Sequence, residues 1–182
     1  MTSNQHHSIR LTVDVENLSG STTDSDFAVS LEPLLDALDQ IGVKATFFVV
    51  GSLTSLWKQK IEKLVKNGHE VALHGHTHEF LALLGPKKFA KELAEGKNAL
   101  EDAMGMSAIG YRAPYFSLTK DSLWAPGILQ ETGFKFSSSV LPAWNPQAGF
   151  PSAPRTPFRW KCGLVEFPVP TFGVGIIRAP LL

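Results

Sequence analysis

The sequence is poor in cysteine, and this limits the kinds of site that it can build. Cys162 is the only cysteine among the 182 residues, which excludes a disulfide framework and a cysteine-rich zinc site. Any metal ion bound by this chain must therefore take histidine and carboxylate ligands. A lone cysteine in an apolar stretch is typical of core packing, so we expect no nucleophilic role for Cys162.

Net charge and long apolar runs are also missing. The 17 basic and 17 acidic residues cancel, and no basic stripe is present, which argues against nucleic acid as the main partner. No apolar run approaches the ~18–20 residues of a membrane span. The segment 9–15 is too short and interrupted to be the core of a signal peptide. These absences predict a cytoplasmic protein without a transmembrane segment, and they leave homo-oligomerisation open.

Short β-like runs alternate with helical stripes along most of the chain. Predicted strands cover 9–15, 44–50, 70–74, 109–112, 134–136 and 164–167. Predicted helices cover 31–41, 56–65, 86–104 and 119–132, the last with a break at Pro126-Gly127. This alternation predicts an α/β fold with a parallel sheet, either doubly wound or closed as a barrel. We expect residues 1–8 to be a disordered tail and 9–182 to be a single domain.

The C-terminal third of the sequence has a different composition. Residues 141–160 contain five prolines together with Trp144 and Trp160, which predicts a long ordered loop or lid. Residues 172–182 form an apolar run without a polar tail. An ending of this kind predicts a chain that is truncated, or one whose end pairs with something outside the sequence.

Polar residues with chemical uses follow the predicted strands. The first strand ends at Asp14 and Glu16, the third at a histidine cluster, the fourth at Arg112 and the fifth at Ser137. In parallel α/β folds the carboxyl ends of the strands meet at one edge, where functional groups collect. We therefore expect these residues to form one site.

The histidines at the third strand end allow two interpretations. If the strand continues, His74, His76 and His78 share one face, as in metal sites of the His-x-His type. If the strand ends near His74, a turn brings His74 and His78 together and directs His76 elsewhere. Gly75 and Thr77 favour the turn. We expect His69, which follows a glycine turn, to have a structural role, and His6 and His7 to belong to the tail.

The acidic pair Asp14 and Glu16 alternates along the first strand, so both side chains lie on the same face. Two carboxylates at one strand end repel each other unless a cation lies between them or one is protonated. A metal ligand beside a general base would account for the pair. The ordinary alternative for Asp14 is a helix N-cap.

Four segments, taken in order, resemble the polysaccharide deacetylases of the NodB type, carbohydrate esterase family four. Leu-Thr-Val-Asp-Val-Glu at 11–16 resembles the first motif of the family, in the form of an Asp-Val-Glu subgroup. The strand at 44–51 is similar to the one between the first two motifs. His74-x-x-x-His78, preceded by Gly-His-Glu-Val at 68–71, resembles the second motif, and Gly-Tyr-Arg-Ala-Pro-Tyr at 110–115 the third.

The resemblance implies a distorted (β/α) barrel with about seven strands and one divalent metal ion. His74 and His78 would be two of the metal ligands, and Glu16 would take the third position, with Asn17 as an alternative. The ion would be Zn²⁺, with Co²⁺, Ni²⁺, Mn²⁺ or Fe²⁺ as alternatives. Asp14 would be the catalytic base.

Three further residues receive roles in this prediction. Arg112 would bind and orient Asp14, and the backbone N–H of Tyr115 would face the oxyanion that develops during the reaction. In the Pro- and Trp-rich loop, Trp144 is a candidate for stacking against a sugar ring.

The sequence departs from the family pattern at two points. Ser137 stands where the fourth motif has an aspartate, and no histidine follows His78, although the family's general acid is a late histidine. We therefore expect the last barrel strands and this acid to be missing from the 182 residues.

The predicted function is hydrolysis of an N-acetyl or O-acetyl group on a polysaccharide or glycan precursor, with carbohydrate as the partner. One alternative is a glycan-binding protein without catalytic activity on a degenerate barrel. Another is an amidohydrolase or deformylase acting on a small amide that is not a glycan.

Overall fold

The computed structural model describes residues 10–16, 24–174 and 177–180. The predicted tail at 1–8 and the alternative ligand Asn17 lie outside these residues. The strands are β1 (Leu11–Val15), β2 (Ala45–Val49), β3 (Glu70–Leu73), β4 (Gly110–Tyr111), β5 (Phe136–Ser137), β6 (Phe158–Arg159), β7 (Val165–Glu166), β8 (Thr171–Val174) and β9 (Ile177–Pro180). The helices are α1 (Asp24–Gln40), α2 (Lys58–Lys66), α3 (Leu81–Met104) and α4 (Ala125–Glu131).

Seven of these strands form one sheet in the order β1-β2-β3-β4-β5-β7-β6. Every neighbouring pair in this sheet is parallel except β6 and β7, and β8 and β9 form a separate antiparallel pair. Strand β2 is a continuous apolar run because both of its faces are covered: Phe47 and Phe48 are both buried. The predicted α/β fold with a mainly parallel sheet is confirmed.

The register of the parallel pairs aligns the carboxyl ends of the strands. The aligned partners at these ends are Val15 with Val49, Val49 with Leu73, Leu73 with Tyr111, Tyr111 with Ser137, and Ser137 with Glu166. The residues that come next in the chain, including Glu16, His74 and Arg112, therefore lie along a single edge of the sheet. This alignment is what brings together segments that are far apart in sequence.

The prolines fix where two of the helices begin. Helix α3 starts at Leu81 but is kinked at Gly85, which has φ 65°, so its regular part begins at Pro86, as predicted. The predicted break at Pro126-Gly127 is displaced: a 3₁₀ turn ends at Ser122, and Pro126 lies inside the first turn of α4. Proline is tolerated there because the first turn has no partner for its N–H. Within the described chain, no helix combines the length and the apolar character that a bilayer crossing requires.

The core packs between the helices and one face of the sheet. Ile61 of α2 and Phe89 and Leu93 of α3 are buried in it, and Cys162 packs against its rim and donates to the Pro126 carbonyl at 3.4 Å. His69 accepts the Ala45 N–H at Nδ1, at 3.2 Å, and burial lowers its pKa. Both residues have the structural surroundings that the sequence predicted for them.

The turn after β2 contacts the histidine segment through backbone atoms. The N–H groups of Gly51 and Ser52 donate to the carbonyls of Gly75 and His76 at 2.9 and 3.0 Å. A Cβ atom at Gly51 would lie 2.8 Å from both the Cα of Gly96 in α3 and Nδ1 of His76. Only glycine fits here, because the neighbour is backbone and cannot rotate away.

We predict that Gly51→Ala lowers the free energy of unfolding by about 1–3 kcal/mol, since an added methyl group forces the turn away from α3. The matched control is Gly127→Ala in α4, where a Cβ has no neighbour within 4 Å and the φ is ordinary. That change should be neutral or stabilising by up to ~1 kcal/mol, because alanine is the better helix former. Urea unfolding followed by circular dichroism measures both. Equal midpoints for Gly51→Ala and the wild type would contradict the packing argument.

Candidate active site

The histidine segment turns immediately after β3. The strand ends at Leu73, Gly75 has φ 67° and His78 has φ 58°, so the chain reverses within four residues. The reversal brings the rings of His74 and His78 to 5.0 Å between centroids. His76 is directed away from them, toward the turn at Gly51. The turn interpretation is therefore confirmed, and the His-x-His alternative is wrong, because the backbone leaves the extended conformation at Gly75.

His74 is oriented by the backbone of the neighbouring strand. Its Nδ1 lies 3.0 Å from the carbonyl oxygen of Arg112, and this acceptor assigns the proton to Nδ1 and leaves the Nε2 lone pair free. Burial lowers the pKa of His74 to about 4, although the nearby Asp14 carboxylate acts in the opposite direction. The imidazole is consequently neutral at neutral pH, which is the form that binds a metal ion.

Glu16, His74 and His78 form a group that fits one metal ion. Each offers one ligand atom, and these atoms all lie within 4.8 Å of one another. The Nε2 atom of His78 is buried against the Glu16 carboxylate, yet it makes no hydrogen bond within the described residues. Zinc bonds of about 2 Å place the ligand atoms of one ion ~3–4 Å apart. Two imidazoles and a carboxylate are a ligand set suited to Zn²⁺ and similar cations.

Asp14 stands between this ligand group and Arg112. Its Oδ1 accepts a hydrogen bond of 2.6 Å from Nη1 of Arg112, and its Oδ2 lies 3.7 Å from Nε2 of His74. Because His74 is neutral, the second contact is a close approach without a full ion pair. One carboxylate oxygen is thus fixed by Arg112, and the other faces the ligands.

The guanidinium of Arg112 is held on every side. Its Nε donates to the Ser138 carbonyl at 3.0 Å, and its Nη2 donates to Oγ of Ser138 at 2.9 Å and to Oγ1 of Thr12 at 3.0 Å. Its carbon lies 4.0 Å from the centroid of the Phe48 ring. Sequence reasoning missed Thr12, although its position two residues before Asp14 puts it on the same face of β1.

Glu166 is a second residue that sequence reasoning missed. Its side chain is fully buried at the end of β7 and accepts N–H groups from Ser139 at 2.6 Å, Val140 at 3.0 Å and the Trp160 indole at 3.3 Å. Burial raises the pKa of Glu166, and these hydrogen bonds, with one from the Ser137 hydroxyl, act against that rise. The available signal was a lone acid in the apolar run Leu-Val-Glu-Phe. A carboxylate therefore lies next to Ser137, but it comes from the adjacent strand.

Tyr115 lies at the rim of the site in a left-handed turn, with φ 57°. Its ring stacks on Phe80 at 4.1 Å and lies 4.8 Å from the His78 ring. The next two N–H groups, of Phe116 and Ser117, donate to backbone carbonyls, whereas the Tyr115 N–H donates to no backbone oxygen in the described chain. Its role toward an oxyanion stays a prediction, and the absence of a backbone acceptor for this N–H in the described chain is compatible with it.

Trp144 lies apart from these residues. Its side chain is 73% exposed on the Pro- and Trp-rich loop, which is closed by a bridge between Leu141 and Gly149. Among the residues that the structure describes, it makes no ring contact with the site. Its role in sugar stacking also stays a prediction.

The family model "Polysaccharide deacetylase" matches residues 4–136. YheN of Bacillus subtilis, which is named for the same family, is 38% identical over 106 residues, covering 57% of this chain and 37% of YheN. A chitooligosaccharide deacetylase of Sinorhizobium fredii is 33% identical over 97 residues, covering 53% of this chain and 42% of the relative.

A crystal structure of a Mycobacterium smegmatis protein assigned to the polysaccharide deacetylases superposes with a TM-score of 0.68 at 31% identity. The superposition covers 88% of this chain and 57% of that protein. The chain thus spans about two fifths of the curated relatives named above and just over half of this structure. The chain belongs to the polysaccharide deacetylase family.

We predict that His74→Ala and His78→Ala each weaken Zn²⁺ binding by at least about 100-fold, since the loss of one of three ligands costs more than the loss of a supporting hydrogen bond. His76→Ala is the matched control, because this imidazole is directed away from the other two. Isothermal titration of Zn²⁺ into metal-free protein measures all three. Wild-type affinity in either ligand variant, or an equal loss in His76→Ala, would rule out this ligand set.

Proposed function

We propose that this chain is the catalytic part of a metal-dependent deacetylase that hydrolyses an acetyl group on a glycan. The observation that carries the proposal is the position of the Asp14 carboxylate, with one oxygen bound by Arg112 and the other beside the group formed by Glu16, His74 and His78. Membership of the polysaccharide deacetylase family supports the same reaction.

The cation belongs to the group formed by Glu16, His74 and His78. A divalent ion bound there would polarise the acetyl carbonyl and lower the pKa of the attacking water to about 7. Zn²⁺ is the ion we favour, because two imidazoles and one carboxylate leave positions open for water and substrate.

Asp14 is the proposed general base. Its Oδ1 is occupied by Arg112, so Oδ2, on the side of the ligands, is the oxygen that takes a proton from the attacking water. Ser138 and Thr12 bind the other nitrogens of Arg112, so the guanidinium cannot rotate away from Oδ1 of Asp14. The base is thus aimed before substrate arrives.

The negative charge of the tetrahedral intermediate needs a donor that is already in place. The Tyr115 N–H has no backbone acceptor in the described chain, and the left-handed turn fixes its direction. We assign it to the oxyanion, a position where one donor is worth about 100-fold or more in rate. No histidine follows His78 in this sequence, so we assign the protonation of the leaving amine to none of its residues.

The relatives and the rim of the site support the proposed substrate class. Relatives are named as chitooligosaccharide deacetylases and as a peptidoglycan-N-acetylglucosamine deacetylase. The stacked rings of Tyr115 and Phe80 next to His78 offer a flat apolar surface of the kind that packs against sugar rings. We therefore propose an N-acetylated oligosaccharide or polysaccharide as substrate.

We predict that Asp14→Asn keeps Zn²⁺ binding within a few-fold of the wild type but lowers kcat on N-acetylglucosamine oligomers by about 100- to 10,000-fold, the usual worth of a general base. Release of acetate and titration with Zn²⁺ provide the two measurements. Asp102→Asn, a change at an exposed acid of α3, is the control and should leave both unchanged. Turnover near the wild-type rate in Asp14→Asn would show that another group takes the proton.

We also predict that Trp144→Ala raises KM for long N-acetylated oligomers several-fold and leaves kcat unchanged, because an exposed ring outside the site can only add binding area. Kinetics on monomer and pentamer separate the effects, and the monomer should show no change. An unchanged KM for the pentamer would remove Trp144 from the substrate-binding surface.

A further inference from the structure

The buried carboxylate of Glu166 has no part in the mechanism above, yet it lies at the same edge of the sheet. It is 0% exposed, and all of its nitrogen partners are donors: two backbone N–H groups and an indole. Burying an acid this deeply is costly unless hydrogen-bond donors satisfy its carboxylate. The hydrogen bonds of Glu166 show which part of the backbone it holds in place.

The carboxylate holds the backbone that follows β5. Oε1 of Glu166 accepts the N–H groups of both Ser139 and Val140, so a single oxygen pins two consecutive residues. Hydroxyl groups extend the same network: Ser137 hydrogen-bonds to Glu166 and lies 2.7 Å from Oγ of Ser139, which accepts the Ala113 N–H at 2.8 Å. Both sides of Ser138 are therefore anchored to Glu166.

Ser138 is the main support of the Arg112 side chain. Its carbonyl accepts from Nε, and its hydroxyl accepts from Nη2, while Nη1 of the same guanidinium donates to Asp14. Glu166 is thus hydrogen-bonded to the N–H of Ser139, the peptide bond links Ser139 to Ser138, and hydrogen bonds continue from Ser138 to Arg112 and then to Asp14. Burial lowers the pKa of Arg112, and the charge of Asp14 and, more weakly, that of Glu166 act against this shift and favour the charged guanidinium.

We propose that Glu166 is a positioning residue for the proposed deacetylation: it fixes the Ser137–Val140 segment, and through Ser138 it aims the Arg112 guanidinium at Asp14. The inference rests on the proposed function only for its effect on turnover. Its effect on Arg112 does not depend on any activity.

The test replaces the carboxylate by an amide of the same size. Glu166→Gln replaces one acceptor oxygen by an NH₂ group, which is a donor and cannot accept a hydrogen bond. At least one of the three surrounding N–H donors therefore loses its partner. The matched control is Glu101→Gln, a partly buried acid on α3 that also accepts a backbone N–H, from Ala108, and has no link to Arg112. Thermal unfolding and Zn²⁺ titration verify that each variant is folded and binds metal.

Two readouts follow. We expect kcat on N-acetylglucosamine oligomers to fall by 10- to 100-fold in Glu166→Gln with KM and Zn²⁺ affinity within two-fold of the wild type. We also expect the Nε–H of Arg112, followed by ¹⁵N NMR, to exchange with solvent at least ten-fold faster. Glu101→Gln should change neither, and wild-type kcat together with wild-type exchange in Glu166→Gln would overturn the proposal.

A charge-relocation variant addresses the possibility that Glu166→Gln does not fold. Ser137 and Glu166 are aligned partners on β5 and β7, so Ser137→Asp in the Glu166→Gln background returns a carboxylate to the same network from the other strand. We expect this double variant to recover at least ten-fold in kcat over Glu166→Gln and to restore the slow exchange of Arg112. Where only the double variant folds, fast Arg112 exchange in Ser138→Ala supports the chain of contacts, and wild-type exchange there overturns it.

The two proposals fail in different ways. Wild-type protein that binds Zn²⁺ but releases no acetate from any glycan would count against the proposed function. The NMR readout would then decide the role of Glu166 by itself: faster exchange of Arg112 in Glu166→Gln supports it, and unchanged exchange overturns it.

Discussion

The burial of Arg112 is the constraint on which the rest of the site depends. A guanidinium that is 6% exposed has lost most of its hydration, and the cost of that loss must be offset by hydrogen bonds and opposite charge. The partners come from separate strands: Thr12 and Asp14 from β1 and Ser138 from the segment after β5. One side chain therefore connects three strand ends, and the hydrogen bonds that satisfy the guanidinium also fix the position of Asp14, the proposed base.

Arg112 also links Asp14, the proposed base, to the candidate metal ligands, and it does so with different atoms. Its side chain binds Asp14, whereas its main-chain carbonyl accepts the Nδ1–H of His74. The carbonyl belongs to the backbone next to β4, so the orientation of His74 follows from strand pairing alone. The aim of Asp14, in contrast, depends on a long side chain that needs support from Ser138. The position of His74 in the candidate ligand group thus follows from the sheet, whereas the position of Asp14 follows from a network of side-chain hydrogen bonds.

Much of this arrangement could be predicted from the sequence because the periodicities are local. Apolar runs identified β2 and β3, and the two-residue alternation of β1 put Asp14 and Glu16 on one face. Glycine at 75 indicated the turn that brings His74 to His78. Each of these signals lies within a few residues, where backbone geometry leaves few options.

The features that could not be predicted are those that depend on register between distant strands. Glu166 looks like an interruption of an apolar strand until the sheet aligns it with Ser137, 29 positions earlier in the chain. The sequence predicted that His76 is directed away from His74 and His78, but no local pattern encodes its position against the turn at Gly51. The strands β4, β5 and β7 are only two residues long, so propensity alone overestimated their length.

Matched polar groups on separate strands explain why so polar an edge can be part of a stable fold. Arg112 with Asp14 on one side, and Glu166 with its N–H donors on the other, each satisfy groups that would be unfavourable alone. Removing Asp14 would leave the charge of Arg112 unmatched, and removing the Glu166 carboxylate would leave its N–H donors without an acceptor. With both in place, the segment between them is held rigidly. A network that is complete in this way has one low-energy arrangement. That uniqueness is what a general base requires, because a carboxylate misplaced by ~1 Å can lose about 100-fold in rate.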